Sequence, residues 1–285
     1  MFATGSLARR IERAEATLIE SGALNAVRRT PPGQAFATPL RGGMAAFAEP
    51  GSPLNKVAGL GFGGVPDEDE LTAIEQAYAA RGCPVHVELA SFAEPAIGRL
   101  LTRRGYALIG YENVSGLALQ AGAAGEHPPD GVAIARVGPG EAKEWVRVTV
   151  TGFRNPDIFD GLASHESFDD VVVERAIDDM AAISGFERYL AHRGGAAAGG
   201  ASFRAFEGIA QLCGSATLPD HRRRGVQTAL LRHRLAEAAR QGCDVAVVTT
   251  QPGSKSQQNV ERFGFTLLYV RAILAMEHGA RPAGR

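Results

Sequence analysis

The segment Asp220–Leu231, DHRRRGVQTALL, sets three arginines and a glycine directly before the first turns of an amphipathic pattern. Val226, Leu230, Leu231, Leu235, Ala238 and Ala239 recur on one side of a helix expected to run from Val226 to Arg240. Upstream, Ile209–Thr217 reads as a strand, and downstream Val245–Thr249 is a short apolar run of the kind a buried strand makes. A basic, glycine-containing loop between a strand and a helix admits two readings. The arginines form a solvated or nucleic-acid-facing patch, or they join the free amides and positive end of a helix dipole to hold an anion such as a pyrophosphate.

The whole chain bears on that choice. Its 285 residues carry 30 basic and 31 acidic side chains, a formal charge of −1, so no global field exists for nucleic acid or an anionic membrane and any anion site is local. The length predicts two compact units of roughly 100 to 200 residues each. A composition of 45% hydrophobic and 21% charged residues is ordinary globular usage. Cys83, Cys213 and Cys243 are odd in number and widely spaced without CxxC, which points to no disulfide framework and no metal site and fits a reducing cytoplasm. The N-terminal MFATGSLARRIERAEATLIESGAL carries charges throughout, and no run of about 18 apolar residues occurs, so neither a signal sequence nor a membrane span is expected.

The expected order begins with a helix over residues 5–22 stopped by Gly22. A strand at Val57–Phe62, a helix at Asp67–Ala80, a strand at Val85–Leu89, a helix at Glu94–Arg104 and a strand pair or one long strand from Tyr106 to Leu119 follow. The small, polar, proline-containing stretch AGAAGEHPPDG, residues 121–131, reads as a linker. Beyond it come a strand at Val132–Val137, a helix at Glu141–Phe153 and an irregular region with helix around Asp169–Ala182. Strands Phe186–His192 and Ala198–Phe206 then flank the turn Arg193-Gly194-Gly195. A helix from Lys255 to Phe263 and a strand at Thr266–Met276 close the order. The halves echo one another: Val65-Pro66-Asp67 answers Leu218-Pro219-Asp220, and Arg103-Arg-Gly-Tyr106 answers Arg262-Phe-Gly-Phe265. Pro66 to Gly105 spans 39 positions and Pro219 to Gly264 spans 45, a deficit that the segment RRRGVQ accounts for.

Strand, L-P-D-H-R-R-R-G-V-Q-T-A-L-L, strand, then S-x-x-N-x-x-R-x-G-F resembles the GNAT superfamily of acyl-CoA-dependent N-acyltransferases, well over residues 131–278 and in degenerate form over 1–120. The resemblance implies an α/β (α+β) chain of two tandem GNAT-like domains, each a mixed twisted sheet flanked by helices. The divisions are 1–120 for the degenerate domain, 121–131 for the linker, 132–278 for the acyl-CoA-binding domain and 279–285 for a tail. In the family's R-x-x-G-x-G/A loop, Arg222 and Gly225 match and Gln227 stands at the third position, where its backbone amide still faces the phosphates. The resemblance implies that Arg222, Arg223, Arg224, Gly225, Val226, Gln227 and Thr228 hold the CoA pyrophosphate. It implies that Thr217 pairs with the pantetheine, and it sets Ser256 and Asn259 beside the CoA arm. Gly225 removes the Cβ that would block close approach, and Arg223 and Arg224 supply charge-assisted bonds.

The chemistry is less complete. The family's usual strand carboxylate falls on Gln211, and its usual tyrosine acid on Val260. Alternation is expected to set Gln211, Cys213, Ser215 and Thr217 on one face. The catalytic residues are unknown, with Glu207, Tyr189 and Tyr269 as weak candidates; Tyr189 and Tyr269 read more readily as strand aromatics, and Cys213 as a small hydrophobe. His165, Glu166 and His221 read as surface residues near loops, and His221 also as an assistant in phosphate binding. Trp145 and Phe153 are candidates to line an acceptor pocket or a helix core. The resulting expectation is an acetyltransferase moving an acetyl group from acetyl-CoA, as cosubstrate, to an amine of a small molecule or peptide. The alternative is a noncatalytic acyl-CoA-binding module. No nucleic-acid or membrane partner is expected, and the tandem repeat makes a monomer plausible.

Overall fold

In the structure, a computed structural model that describes residues 1–120, 131–155 and 169–277, the elements follow in this order. The first half holds α1 (Gly5–Arg29), β1 (Phe36–Leu40), β2 (Gly43–Phe47), β3 (Lys56–Ala58), α2 (Glu68–Ala79), β4 (Val85–Ala90), α3 (Pro95–Arg103) and β5 (Ala107–Ala118). The second holds β6 (Val132–Arg136), α4 (Ala142–Arg154), α5 (Asp170–Ala181), β7 (Phe186–Arg193), β8 (Ala196–Phe206) and β9 (Ile209–Thr217). It ends with α6 (Val226–Arg240), β10 (Val245–Thr250), α7 (Lys255–Arg262) and β11 (Thr266–Met276). The linker expected at 121–131 falls outside the described residues except for Gly131, and the tail expected at 279–285 falls outside them entirely.

Several expected elements change. The first helix does not stop at Gly22 but runs to Arg29, because Gly22 lies in its packed face, where an added Cβ would come within 3.0 Å of Leu54, and the buried stripe continues through Ala23 and Ala26. The strand expected over Val57–Phe62 ends at Ala58, since Gly59 and Gly61 take positive φ of 71° and 102°. The hairpin β1–β2 was not expected. Its two-residue turn puts Arg41 and Gly42 at φ of 44° and 82°, the left-handed pair that suits the twist of tight hairpins.

Two compact units emerge, Phe2–Val114 with Leu267–Arg285, and Met1 with Ser115–Thr266. The division runs through β5 and assigns most of β11 to the unit of the first half, whereas a linear division at 121–131 keeps β11 with the second. The physical reason is that β11 pairs antiparallel with β4, from Arg271↔Ala90 to Met276↔Val85. In that unit the strand order is β1-β2-β3-β4-β11-β5. One face buries Leu71, Ile74 and Tyr78 of α2 and Ile97 and Leu101 of α3 against Phe47, Val87 and Leu274. The opposite face, under α1, is a ladder of charges. Lys56 Nζ meets Glu15 at 3.2 Å and Glu88 at 2.8 Å, and Arg271 meets Glu12 at 2.8 Å, Glu112 at 2.9 Å and Glu88 at 3.5 Å. Tyr269 donates its hydroxyl to Glu12 at 2.7 Å.

In the other unit the order is β10-β9-β8-β7-β6, with the end of β5 beside β10 through Leu119 N–H to the Asp244 carbonyl. Adjacent glycines on β8 let helices approach both faces. A Cβ on Gly199 would meet Val226 and Leu230 of α6, and one on Gly200 would meet Thr149 and Trp145 of α4. The α6 face buries Phe203, Leu212, Leu230 and Leu231, and the α4 face buries Trp145, Val148, Ile177 and Leu190.

The ladder predicts a pH dependence. Burial, then the neighbouring Glu88 carboxylate, raise Glu112 to about 7 from an ordinary value of 4.5, against the pull of Arg271 and Lys56, and burial also raises Glu12. A raised carboxyl contributes stability below its unfolded pKa and loses it as pH rises through the folded one. Glu112→Gln, which mimics the protonated acid, is expected to match wild type in thermal denaturation at about pH 4 and to exceed it at about pH 8. A difference between the two that does not change with pH would contradict this account.

Candidate functional site

β9 and β10 run parallel in register from Ile209↔Val245 to Leu212↔Val248, where the pairing stops. β9 continues to Thr217 and β10 to Thr250, so a slot opens beyond Leu212. The cause lies on the other edge of β9. There Ser202 opposes Cys213 but Gly200 opposes Ala216, so Gly214 and Ser215 together face Ala201. Such a bulge bends its strand and increases its twist. Gly214 takes a left-handed φ of 56°, and a Cβ on it would lie 2.8 Å from Ser202 Oγ. The carbonyls at the bulge are completed by side chains. Ser202 Oγ donates to the Cys213 carbonyl at 2.9 Å, and Arg234 Nη1 of α6 donates to the Ser202 carbonyl at 2.9 Å and the Cys213 carbonyl at 3.4 Å.

The bulge overturns the expected alternation. Gln211, Cys213 and Ala216 share the α4 side, where Ala216 packs under Gly152 so closely that a Cβ there would lie 2.4 Å away. Thr217 pairs with Gly199 and so lies on the α6 side. One extra residue after Cys213 reverses the parity of everything that follows, which is why Gln211, Cys213, Ser215 and Thr217 do not form one face.

Beyond Thr217 the chain makes a single turn of 3-10 helix, Pro219–His221, then takes left-handed φ at Arg223 (59°) and Gly225 (79°). Gly225 caps α6 without a side chain, and the first turn of α6 holds no acid. The first intrahelical bond runs from Ala229 N–H to the Gly225 carbonyl, so the amides of Val226, Gln227 and Thr228 have no partner within the helix. Arg223 and Arg224 are exposed; Arg222 is half-buried and donates to the Asn155 carbonyl at the end of α4. Around the slot, Thr217 Oγ1, Thr250 Oγ1 and His221 Nδ1 are buried without hydrogen-bond partners, a condition that costs free energy until a ligand or water completes them. Asn259 is half-buried on α7 and Ser256 is exposed there.

The expected binding residues on β9, the loop and the start of α6 therefore come together, and the three catalytic candidates do not. Glu207 lies on the turn joining β8 to β9, ten residues or about 30 Å of strand from Thr217. Tyr189 is buried on β7, stacked on Phe203 at 6.2 Å and edge-on to His233 at 4.7 Å, and burial raises its pKa. Tyr269 belongs to the other compact unit, where burial, then the Glu12 carboxylate, raise its pKa. Gln211 is buried and accepts from Arg204 Nη1 at 3.3 Å, and Val260 is core. Trp145 is buried, its indole N–H donating to the Ala201 carbonyl at 3.3 Å, while Phe153 is half exposed. His165 and Glu166 lie outside the described residues. Sequence reasoning missed Arg234 and Gly214. The available signal for Arg234 was an arginine set inside the apolar stripe of α6, at the step from Leu230 and Leu231 to Ala238.

A parallel pair of strands whose pairing ends beside a helix N-terminus without a side-chain cap is the local geometry of the site. Residues 159–265 match the model of the family described as Acetyltransferase (GNAT) family. No curated protein matches it in sequence. Among solved structures, a GCN5-related N-acetyltransferase from Kribbella flavida superposes with a TM-score of 0.62 at 19% identity, over 94% of this chain and 97% of its own. A tandem GNAT protein from the clavulanic acid biosynthesis pathway superposes with a TM-score of 0.60 at 13% identity, over 98% of each chain. The fold is therefore the one that these GNAT structures share, a tandem GNAT protein among them.

Because Gly214 combines a left-handed φ with a Cβ position already occupied by Ser202, Gly214→Val should lower stability by about 1–3 kcal/mol in urea denaturation. A midpoint equal to wild type would show that the bulge accepts a side chain.

Proposed function

We propose that this chain transfers an acetyl group from acetyl-CoA to the amine of a small molecule or peptide. The observation that carries this reading is the parting of β9 from β10 after Leu212, directly before the free amides at the start of α6. The amides of Val226, Gln227 and Thr228, with Arg222, Arg223 and Arg224, would hold the pyrophosphate, since an uncapped helix N-terminus offers both donors and a favourable dipole. Thr217 would meet the pantetheine from the strand end, and Asn259 would stand beside it from α7. When bound, acetyl-CoA supplies an activated thioester; the chain's contribution is to bind, orient and exclude water. No carboxylate stands on β9, so the acceptor would enter as the neutral amine, with positioning supplying much of the acceleration. The burial of Tyr189 and the Gln211–Arg204 hydrogen bond favour a second reading, a noncatalytic acyl-CoA-binding module. A cytoplasmic monomer fits both readings.

One CoA per chain is expected. The start of α2, the counterpart of α6 in the first half, is already satisfied: Asp67 accepts from Glu70 N–H at 2.9 Å and Glu70 accepts from Asp67 N–H at 2.9 Å. Its first turn carries Glu68, Asp69 and Glu70, which would repel an anion. Isothermal titration should give a stoichiometry near about one, and Gly225→Asp should weaken CoA binding by more than about tenfold, or 1.4 kcal/mol. Unchanged affinity in that variant would overturn the loop assignment. Thiol release from acetyl-CoA across a panel of amines decides between the two readings: turnover with any amine supports the transferase, and tight binding without turnover supports the module.

A further inference from the structure

Arg234 sits on α6 at 3% exposure, where the apolar stripe calls for leucine. Its guanidinium donates to main-chain carbonyls alone: Leu230 at 3.3 Å, Ser202 at 2.9 Å and Cys213 at 3.4 Å. No carboxylate pairs with it among the described residues. Burial lowers its pKa to about 10, which still leaves a cation at neutral pH. An unpaired buried cation is costly, and a well-packed apolar side chain in its place would usually be neutral or stabilising. Its position accounts for the expense. Both carbonyls on the far side of the guanidinium flank the bulge, and the bulge is where β9 begins to leave β10.

We propose that Arg234 is a positioning residue for acyl transfer, clamping the bulge that opens the slot and setting a buried positive charge under the end of the slot that receives the thioester. This rests on the acyl-CoA reading of the site. A chain laid along β9 from Thr217 back to Cys213 covers four residues, about 13 Å, so a ligand anchored by its pyrophosphate at α6 brings its far end to the bulge. In the transfer, the amine lone pair forms the new C–N bond, the C–S bond breaks with its electron pair on sulfur, and the amine proton passes to solvent or to the departing thiolate. Negative charge grows first on the carbonyl oxygen and then on sulfur. A fixed cation in a dry surrounding favours both without reorganising. Arg234 gives up no proton.

The test uses the full chain with bound CoA, whose thiolate is followed by its ultraviolet absorbance as pH is raised. In wild type the bound thiol should be at least about tenfold more acidic than that of free CoA. Arg234→Met should return it to the free value, and Arg234→Lys, which keeps the charge, should retain most of the shift. With acetyl-CoA and an active amine, Arg234→Met should lower kcat by about a hundredfold or more while KM for acetyl-CoA stays unchanged. A role in folding alone would leave the bound thiol's acidity untouched. If Arg234→Met does not fold, the wild-type titration decides, because a bound thiol no more acidic than free CoA overturns the proposal. Failure of wild type to bind CoA at all would instead overturn the acyl-CoA reading on which it stands.

Discussion

The bulge at Gly214 and Ser215 removes two carbonyls, those of Ser202 and Cys213, from a regular ladder, and the molecule completes them with the Ser202 hydroxyl and with Arg234 reaching up from α6. Strand direction, side-chain parity and helix placement at the site all depend on that arrangement. Bending at the bulge takes β9 away from β10, the extra residue turns Thr217 toward α6, and the closeness of Gly152 to Ala216 sets α4 tightly against the strand end. Buried backbone acceptors are almost always paired, so a bulge in a core strand persists where side chains supply the missing donors.

The unit of the first half depends on a different device. Four carboxylates, Glu12, Glu15, Glu88 and Glu112, surround two cations, Lys56 and Arg271, across α1, β3, β4, β5 and β11. Excess negative charge under a helix is a weak source of net stability, since desolvation opposes the Coulomb gain. It is a strong selector of register. Arg271 belongs to the α1 face of β11 and Leu274 to the opposite, apolar face, so a slip of one residue would bury the guanidinium among Leu71, Ile97 and Val87 and take from Glu12 and Glu112 the cation they pair with. The last strand of the sequence is thereby specified for the unit in which it sits.

The two helices that answer each other in the repeat, α2 and α6, begin in opposite ways. α2 closes its own N-terminus with a reciprocal Asp67–Glu70 box and three acids; α6 begins at a glycine, after three arginines, with its first amides unpaired. The same backbone feature is in one case complete in itself and in the other left without a side-chain cap.

Much of this was legible in the sequence. The loop Arg222–Thr228, the helix behind it, the strands on either side and the repeat of the halves are local matters of period, cap and turn chemistry, and the acids of α2 announce a closed helix end without reference to any contact. Gly22 misled because a glycine marks a helix stop only when no neighbour needs its missing side chain, and Leu54 does. The hairpin β1–β2 was hidden by alanines and Pro39, which carry little strand preference, though Arg41-Gly42 is a fair turn. What the tertiary structure alone decided was pairing: which strand β11 joins, where β9 gains a residue on β8, and why an arginine stands in the apolar stripe of α6. Each of these depends on groups distant in sequence that meet only after folding. A local pattern fixes what a segment can become, and the partners of its backbone carbonyls and buried charges fix where it goes.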